Sequence, residues 1–402
     1  MRGAHWFIKN VFIMTKAVIS TIVIFFAVFG FGAYYFSHVH DSGKKSGIEE
    51  TGDLVEIKAS SRLEEARRSE KGVARIGYFH GGRTHLLYRA YIHDYFGKEG
   101  IDVKLITKEL FNDALSEVPK SHEEFEKKSE DSSFFGRMTG IEIIKEIEKG
   151  NLDGGTVGEA SFIASIHNNS PIVAVAMLGH DEKDYPAHAF LLRNGVEVKS
   201  PDDLKGKTFV SRYSGPFDRT MVREFIESEG LKITDVNLVE DVMDDELSEG
   251  FKNGKVDGGY YHFHWIKKFV NEDKTAYVYR KLDWVNPESS LALLIFHKDY
   301  IKNNRDTVQK IVDAYAKRVK YEKDLSETER EKPKGFGLQM VDYNNIQGMN
   351  IPQYDFPPKV RSDLLHQIQD ILFKHGEIDG KSDIENYLDL SFVEEAMKNI
   401  NK

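Results

Sequence analysis

Several short polar segments, each lying between apolar stretches, contain side chains that could bind a small molecule. Their aromatic rings could sandwich a flat ring, since stacked and edge-to-face contacts between planar groups are favourable. Arg83 and Arg219 could each pair with a phosphate, sulfonate or carboxylate through two parallel hydrogen bonds. The alternative role for each side chain is support of the fold. The predicted ligand-binding residues are His80, Arg83, Thr84, Glu159, Ser161, Tyr213, Ser214, Arg219, Tyr261, His262 and Trp265.

Histidines in and beside these segments suggest a metal site, which we do not expect. His80, His85, His262 and His264 are the candidates, and histidine is the commonest metal ligand. Residues two apart on a strand point to the same side, but two ligands make no site without a third or fourth. We therefore expect neither a metal nor a cofactor.

Catalytic motifs are absent from the sequence. It contains no Gly-x-Ser-x-Gly elbow, phosphate-binding Walker loop, His-Glu-x-x-His pair or dinucleotide glycine fingerprint. The chain has no cysteine, which excludes disulfides, thiolate catalysis and cysteine-ligated zinc. The sequence therefore predicts noncovalent binding rather than an enzyme.

A short repeat positions two of the polar segments. Residues 149–155 read Lys-Gly-Asn-Leu-Asp-Gly-Gly, and residues 253–259 read Asn-Gly-Lys-Val-Asp-Gly-Gly. Apolar residues at helical spacing precede both, so each pattern predicts a helix that stops at a glycine. Because glycine pairs at strand ends allow close approach to the backbone, we expect two equivalent loops that face one ligand. Two ordinary helix-to-strand turns are the alternative.

The elements around these loops follow an α/β pattern. A strand at 73–79, a helix over 87–95 and a strand at 101–105 form a unit that predicts a parallel sheet. A second unit starts at Thr208, and the start of its helix suits an anionic or polar ligand group. Residues 108–137, rich in Glu, Lys and Ser, form an insertion that either overhangs the cleft or is a solvated surface segment.

The N-terminus predicts the location of the protein. No charged side chain lies between Ala17 and Ser37, a length that can cross a bilayer of about 30 Å. Arg2, Lys9 and Lys16 precede this stretch, so the positive-inside rule leaves the N-terminus in the cytoplasm. We predict an uncleaved single-pass anchor in the cytoplasmic membrane, with the rest periplasmic or extracellular; a cleaved secretory signal is the alternative. A net charge of -10 argues against a nucleic-acid partner.

Four segments resemble a known family. They are residues 93–103 (HDYFGKEGIDV), 199–207 (KSPDDLKGK), 254–257 (GKVD) and 383–392 (DIENYLDLSF). They look like the corresponding segments of ABC-importer substrate-binding proteins of the nitrate/sulfonate/taurine and thiamine-pyrimidine-precursor (NMT1/THI5-like) family. The likeness extends from about Val73 to Leu325 and more loosely beyond.

The resemblance implies a type II periplasmic-binding-protein fold, an α/β fold of two lobes with a double hinge, here preceded by a transmembrane helix. The expected domains are 1–37, the cytoplasmic N-terminus and anchor; 38–72, a tether; 73–190 with 262–402, lobe 1; and 191–261, lobe 2. The lobes would close on a ligand and deliver it to a permease.

The expected function is therefore that of a membrane-anchored extracytoplasmic solute-binding protein. It would capture a small organic ligand, either anionic or aromatic/heterocyclic, for uptake by an ABC permease. One alternative is a ligand-sensing ectodomain that signals to a membrane partner. Another is an enzyme that forms the thiamine pyrimidine, but that branch of the superfamily uses a cysteine-rich motif, which this chain lacks.

Overall fold

Two β-sheets form the frame of the protein in a computed structural model. All the described residues belong to one compact unit, Glu70–Lys402. The structure describes residues 72–79, 82–108, 115–121, 138–181, 187–212, 215–242, 244–281, 291–325 and 353–401.

The first sheet is mixed and has the strand order β3-β2-β1-β4-β11-β5. β1 lies parallel to β2 and to β4, which confirms the parallel pairing predicted from the sequence. β11 runs antiparallel between β4 and β5, and β3, from the predicted insertion, pairs antiparallel with β2. These strands are β1 (Val73–Gly77), β2 (Asp102–Lys108), β3 (Leu115–Glu117), β4 (Gly154–Gly158), β5 (Ile172–His180) and β11 (Leu291–His297).

The second sheet has the order β10-β6-β9-β7-β8. The chain enters it after β5 and returns to the first sheet between β10 and β11. β10, which the expected ranges assign to lobe 1, pairs with β6 in this sheet; the lobe boundaries stay a prediction. The strands are β6 (His188–Arg193), β7 (Thr208–Arg212), β8 (Asn237–Val242), β9 (Gly258–His262) and β10 (Ala276–Lys281).

Helices connect and cover the strands. Their starts follow local sequence signals; before α3, for example, Thr139 and Glu142 form a reciprocal capping box. The α-helices are α1 (His85–Ile92), α2 (Tyr95–Lys98), α3 (Gly140–Glu148), α4 (Glu159–His167), α5 (Pro216–Ser228), α6 (Asp244–Asn253), α7 (Phe263–Ile266), α8 (Lys298–Asn303), α9 (Arg305–Asp324), α10 (Ser362–Lys374) and α11 (Ser391–Ile400).

The buried apolar side chains form three layers. One lies between the first sheet and helices α1, α9 and α11. A second covers the far face of the second sheet, against α6 and α7. The third is continuous from one sheet to the other and contains side chains of α3, α4, α5 and α10. This third layer, which we call the middle layer, therefore brings helices of the two sheets into contact.

The Asp-Gly-Gly repeat has the same structure in both sheets. Asp153 accepts a hydrogen bond from Arg75 N at 2.8 Å, and Asp257 accepts one from Thr208 N at 3.0 Å. The glycines that follow begin β4 and β9. A Cβ on Gly154 would lie 2.5 Å from Ile295 O. Neighbouring strands and helix α3 fill the space beside these glycines; that the two loops face one ligand stays a prediction.

Within the described ranges, none of the helices combines the length and the apolar character needed to cross a membrane. The predicted anchor at 1–37 lies outside the described residues, as does the predicted tether except for its last residue.

Candidate functional site

Two helix N-termini, one from each sheet, meet in the middle layer. α4 follows β4 directly, with Gly158 as its N-cap, and α5 follows Gly215, whose φ of 114° only glycine adopts readily. A Cβ on Gly215 would lie 3.9 Å from Ser161 Oγ, in the first turn of α4. The N–H groups of a first helical turn have no partner within the helix and carry partial positive charge. Their meeting point therefore favours a polar or anionic group.

A buried ion pair lies beside the start of α4. Arg83 Nη1 donates to Glu159 Oε2 at 2.8 Å and to Leu291 O at 2.9 Å. Leu291 N donates to the same Glu159 oxygen at 3.2 Å. The Glu159 side chain is 1% exposed and that of Arg83 is 13% exposed. Through these hydrogen bonds, Glu159 Oε2 connects Arg83, in the turn after β1, with Leu291, at the start of β11.

The other carboxylate oxygen of Glu159 is available. Oε1 is buried and has no hydrogen-bond partner among the residues that the structure describes. Burial raises the pKa of Glu159, and the positive charge of Arg83 opposes that rise. Burial by itself would lower the pKa of Arg83, but the charges of Glu159 and Asp181 raise it. A buried polar atom without a partner is costly, so Oε1 can accept a hydrogen bond from a bound molecule.

The second sheet supplies an aromatic wall. The His188 ring is parallel to that of Tyr260, with centroids 5.2 Å apart, and Phe217 packs edge-on against both. His188 Nδ1 lies 2.6 Å from an oxygen of Asp181, which is fully buried. Asp181 therefore fixes the orientation of the imidazole.

Charged groups on each sheet influence the pKa of a residue on the other sheet. Burial raises the pKa of the Tyr260 phenol well above its usual value, and the charges of Asp181, Arg83 and Glu159 also act on it. The charges of His188 and Asp181 act on Glu159 in turn. The arrangement can bind a flat polar molecule, with hydrogen-bonding groups on one side and stacked rings on the other.

Some predicted site residues lie here. Arg83, Glu159 and Ser161 do, and the ring of His262 lies 5.7 Å from that of His188. Thr84 is fully buried, and its hydroxyl donates to Phe79 O at 2.7 Å, which supports the turn. His80, Tyr213 and Ser214 lie outside the described residues.

Three others have protein contacts elsewhere. Tyr261 and Trp265 pack on Phe269 in the core behind the second sheet. Arg219, in α5, bonds to Glu377 and Asp241. Fold support, the alternative role considered for every candidate, accounts for these contacts, and the ligand-binding role of the three stays a prediction.

Sequence reasoning missed Asp181, His188, Phe217 and Tyr260. Alternation along β9 was the signal for one of them: His262 and Tyr260 share a face of the strand, and Tyr261 points the other way. The Asp181 and His188 pair forms only because the end of β5 comes close to the start of β6. No local pattern indicates that contact.

Comparisons with known proteins agree with this geometry. A family model described as NMT1/THI5 like matches residues 140–324. The fold is similar to that of SsuA, a periplasmic sulfonate-binding protein from Methylobacillus flagellatus KT, at 18% identity and a TM-score of 0.59, covering 82% of this chain and 94% of that one. No curated protein sequence matches the chain.

Two further solved structures show the range of the fold. The nitrate-binding protein NrtA from Synechocystis PCC 6803 has 12% identity and a TM-score of 0.58, covering 82% of this chain and 89% of its own. The desulfurization enzyme DszB has 13% identity and a TM-score of 0.52, covering 81% and 99%. The resemblance drawn from the sequence motifs is thus confirmed: residues 140–324 match the NMT1/THI5-like model, and the α/β fold is similar to that of periplasmic sulfonate- and nitrate-binding proteins.

Proposed function

We propose that this protein is an extracytoplasmic solute-binding protein that captures a small organic ligand between its two sheets for ABC-type uptake. One observation carries the proposal. The buried Arg83–Glu159 pair of the first sheet lies close enough to the His188–Tyr260 stack of the second for charges of one group to act on the other, beside two helix N-termini. Ligands of two-lobed binding proteins lie between the lobes, which close on them.

The ligand we propose is a flat aromatic or heterocyclic molecule with at least one N–H or O–H group. Its ring would pack against the His188, Tyr260 and Phe217 wall. Its donor would satisfy Glu159 Oε1. A simple anion has no proton for this oxygen and would lie near two buried carboxyl groups, those of Glu159 and Asp181. The helix N-termini remain suited to an acidic substituent on the ring.

The proposal assigns the first sheet to lobe 1 and the second to lobe 2. The predicted N-terminal anchor would keep the lobes at the outer face of the cytoplasmic membrane, close to the permease. The apolar stretch between Ala17 and Ser37 and the basic residues before it support this placement.

Native mass spectrometry of the gently purified full chain tests the function. We expect a reproducible added mass that disappears after denaturation and refolding and that corresponds to an unmodified small molecule. Glu159→Gln should reduce the occupancy of that mass, because the amide replaces a carboxylate acceptor. Glu146→Gln, which changes a buried carboxylate that pairs with Lys149 and Asn151 in the last turn of α3, is the matched control and should retain it.

Two outcomes would overturn the proposal. One is no added mass together with no thermal shift in a screen of sulfonates, pyrimidines and aromatic acids. The other is a ligand that leaves chemically altered, which would favour an enzyme on this fold.

A further inference from the structure

We propose that a charged cluster between α5 and the end of α10 is a latch that holds the two sheets closed. This inference rests on the proposed function, since it assumes that the lobes open and close. The latch consists of Arg219, Arg223 and Glu224 on one side and Lys374, His375 and Glu377 on the other.

The α10 side of the latch is fixed to the first sheet. Gln353 and His180, at the end of β5, exchange two backbone hydrogen bonds of 2.8 and 2.9 Å. Asp389 N donates to Ala174 O at 3.0 Å, further along the same strand. Between these points α10 buries Leu364, Leu365 and Ile368 in the layer that contains α4. The C-terminal segment therefore moves with the first sheet.

The α5 side belongs to the second sheet. α5 follows β7, and its Phe225 ring stacks on Phe190 of β6 with centroids 3.5 Å apart. Phe225 also packs edge-on against Phe209 of β7. Any hinge motion that separates the sheets must therefore carry α5 away from the residues that follow α10.

The strongest contact of the latch is between Arg219 and Glu377. The guanidinium donates from Nη2 to Glu377 Oε2 at 2.7 Å and from Nε to Oε1 at 3.2 Å. Arg223 Nη1 adds a hydrogen bond to His375 O at 3.0 Å. The two-point geometry fixes direction as well as distance, so these bonds form only in the closed arrangement.

A second group of contacts surrounds Glu224. Its Oε1 lies 2.6 Å from His375 Nε2 and 2.5 Å from Lys374 Nζ. Lys374 Nζ also lies 2.7 Å from Glu227 Oε2. Two carboxylates and a histidine can hold a metal ion, but the ammonium already lies between these carboxylates. Pairing between the lobes explains the cluster with the groups present.

Burial makes these pairs stronger than ordinary surface pairs. The side chain of Glu377 is 10% exposed and that of Glu224 is 14% exposed. Partly buried ions are screened by salt less than exposed ones. Because the latch stabilises the closed state through contacts within the protein, it raises the fraction of binding-competent protein, which improves the apparent affinity in proportion.

The test measures the distance between the lobes without any ligand. The chain has no native cysteine, so Lys255→Cys on the second sheet and Lys302→Cys on the first, both exposed, can carry a pair of spin labels. Double electron–electron resonance on the labelled full chain then reports the separation of the sheets. Glu377→Gln is the latch variant. Glu385→Gln, which removes one charge and an ion pair to His366 within the C-terminal segment, is the matched control.

We expect one short distance in the parent and in the control. Glu377→Gln should add a longer distance and shift the closed-to-open ratio by about fivefold to fiftyfold. Arg219→Gln, which removes the same pair from the other side, should do likewise, so a folding defect in one variant leaves a second test. Unchanged distances in both variants, or a parent that shows only the longer distance, would overturn the latch. Native mass spectrometry separates the two ideas: a working latch with no bound molecule would refute the function alone.

Discussion

Glu159 uses its two carboxylate oxygens differently. Oε2 accepts hydrogen bonds from Arg83 and Leu291 N and so belongs to the fold, whereas Oε1 has no hydrogen-bond partner among the described residues. Taking two charges out of water is expensive, and the mutual attraction of the pair offsets that cost only while both partners are present. The ligand site is therefore built on a pair that cannot be broken without loss of stability.

Truncation of Glu159 tests that reasoning. Glu159→Ala should lower the free energy of unfolding by about 3–5 kcal/mol, because it removes the hydrogen-bonded counter-charge of the buried Arg83 guanidinium. The double variant Arg83→Met with Glu159→Ala should recover a large part of this loss. Urea denaturation of the parent, the single variant and the double variant measures the effect. Equal losses in the single and double variants would show that the two side chains do not stabilise each other.

Glu224 should make stability depend on pH in the acid range. Burial alone would raise its pKa, but hydrogen bonds from His375 and Lys374 outweigh burial and lower it. With a folded pKa below the unfolded value of about 4.3, the unfolded chain binds more protons in this window. The stabilisation that Glu224 provides is therefore complete above the unfolded pKa and is lost as the pH falls through the folded pKa. Urea titrations between about pH 3 and 6 measure the free energy of unfolding, which should fall less steeply with decreasing pH in Glu224→Gln than in the parent. An unchanged pH dependence contradicts this.

At the scale of elements, the Asp-Gly-Gly repeat can be recognised in the sequence, whereas the packing around its glycines becomes visible only in the structure. The pattern correctly marks equivalent places in the two sheets. Its glycines are needed because strands and helices approach closely there: a Cβ on Gly258 would lie 2.7 Å from Leu191 O, and a Cβ on Gly259 would lie 2.6 Å from Val210 O. The proposed ligand-binding residues Glu159 and His262 lie at the other ends of β4 and β9.

Gly155→Ala tests this packing role. The added Cβ would overlap Ile143 Cγ2 of α3, so the helix must shift. We expect a loss of about 1–3 kcal/mol in the free energy of unfolding, as for other overpacked sites. Gly158→Ala, later in β4, is the control, since its Cβ would meet only Arg83 Nη2 at 3.7 Å. Similar costs for the two variants would mean that close approach does not explain the glycine at 155.

At the scale of the whole molecule, local patterns predicted more of the fold than of the site. Apolar runs and helical spacing predicted the parallel strands around β1, and motif resemblance predicted the family and the two-sheet architecture. The place of β10 depends on its pairing with β6, which no local pattern contains. The Asp181–His188 pair and the contacts between α5 and α10 likewise join segments far apart in the chain or separated by a change of sheet. Side-chain chemistry at such contacts follows from tertiary packing.

The close approach of the N-termini of α4 and α5 allows a test of whether the two sheets close over the ligand. Ser161→Cys with Gly215→Cys places two thiols where a Cβ at 215 lies 3.9 Å from the Ser161 Oγ position, within reach of a disulfide. Gly215 has φ 114° and ψ -170°, a region essentially restricted to glycine, so the added side chain costs about 1–3 kcal/mol. The crosslink should offset this with about 2–4 kcal/mol.

Since the parent has no cysteine, no other thiol competes for the crosslink. We expect the oxidised double variant to retain its bound small molecule through dialysis and to release it after reduction, as followed by native mass spectrometry. Each single cysteine variant should release its ligand equally fast before and after reduction. A crosslinked protein that exchanges ligand as fast as the reduced one would show that the ligand does not lie between the two sheets, because closure at the helix starts would then leave its path open.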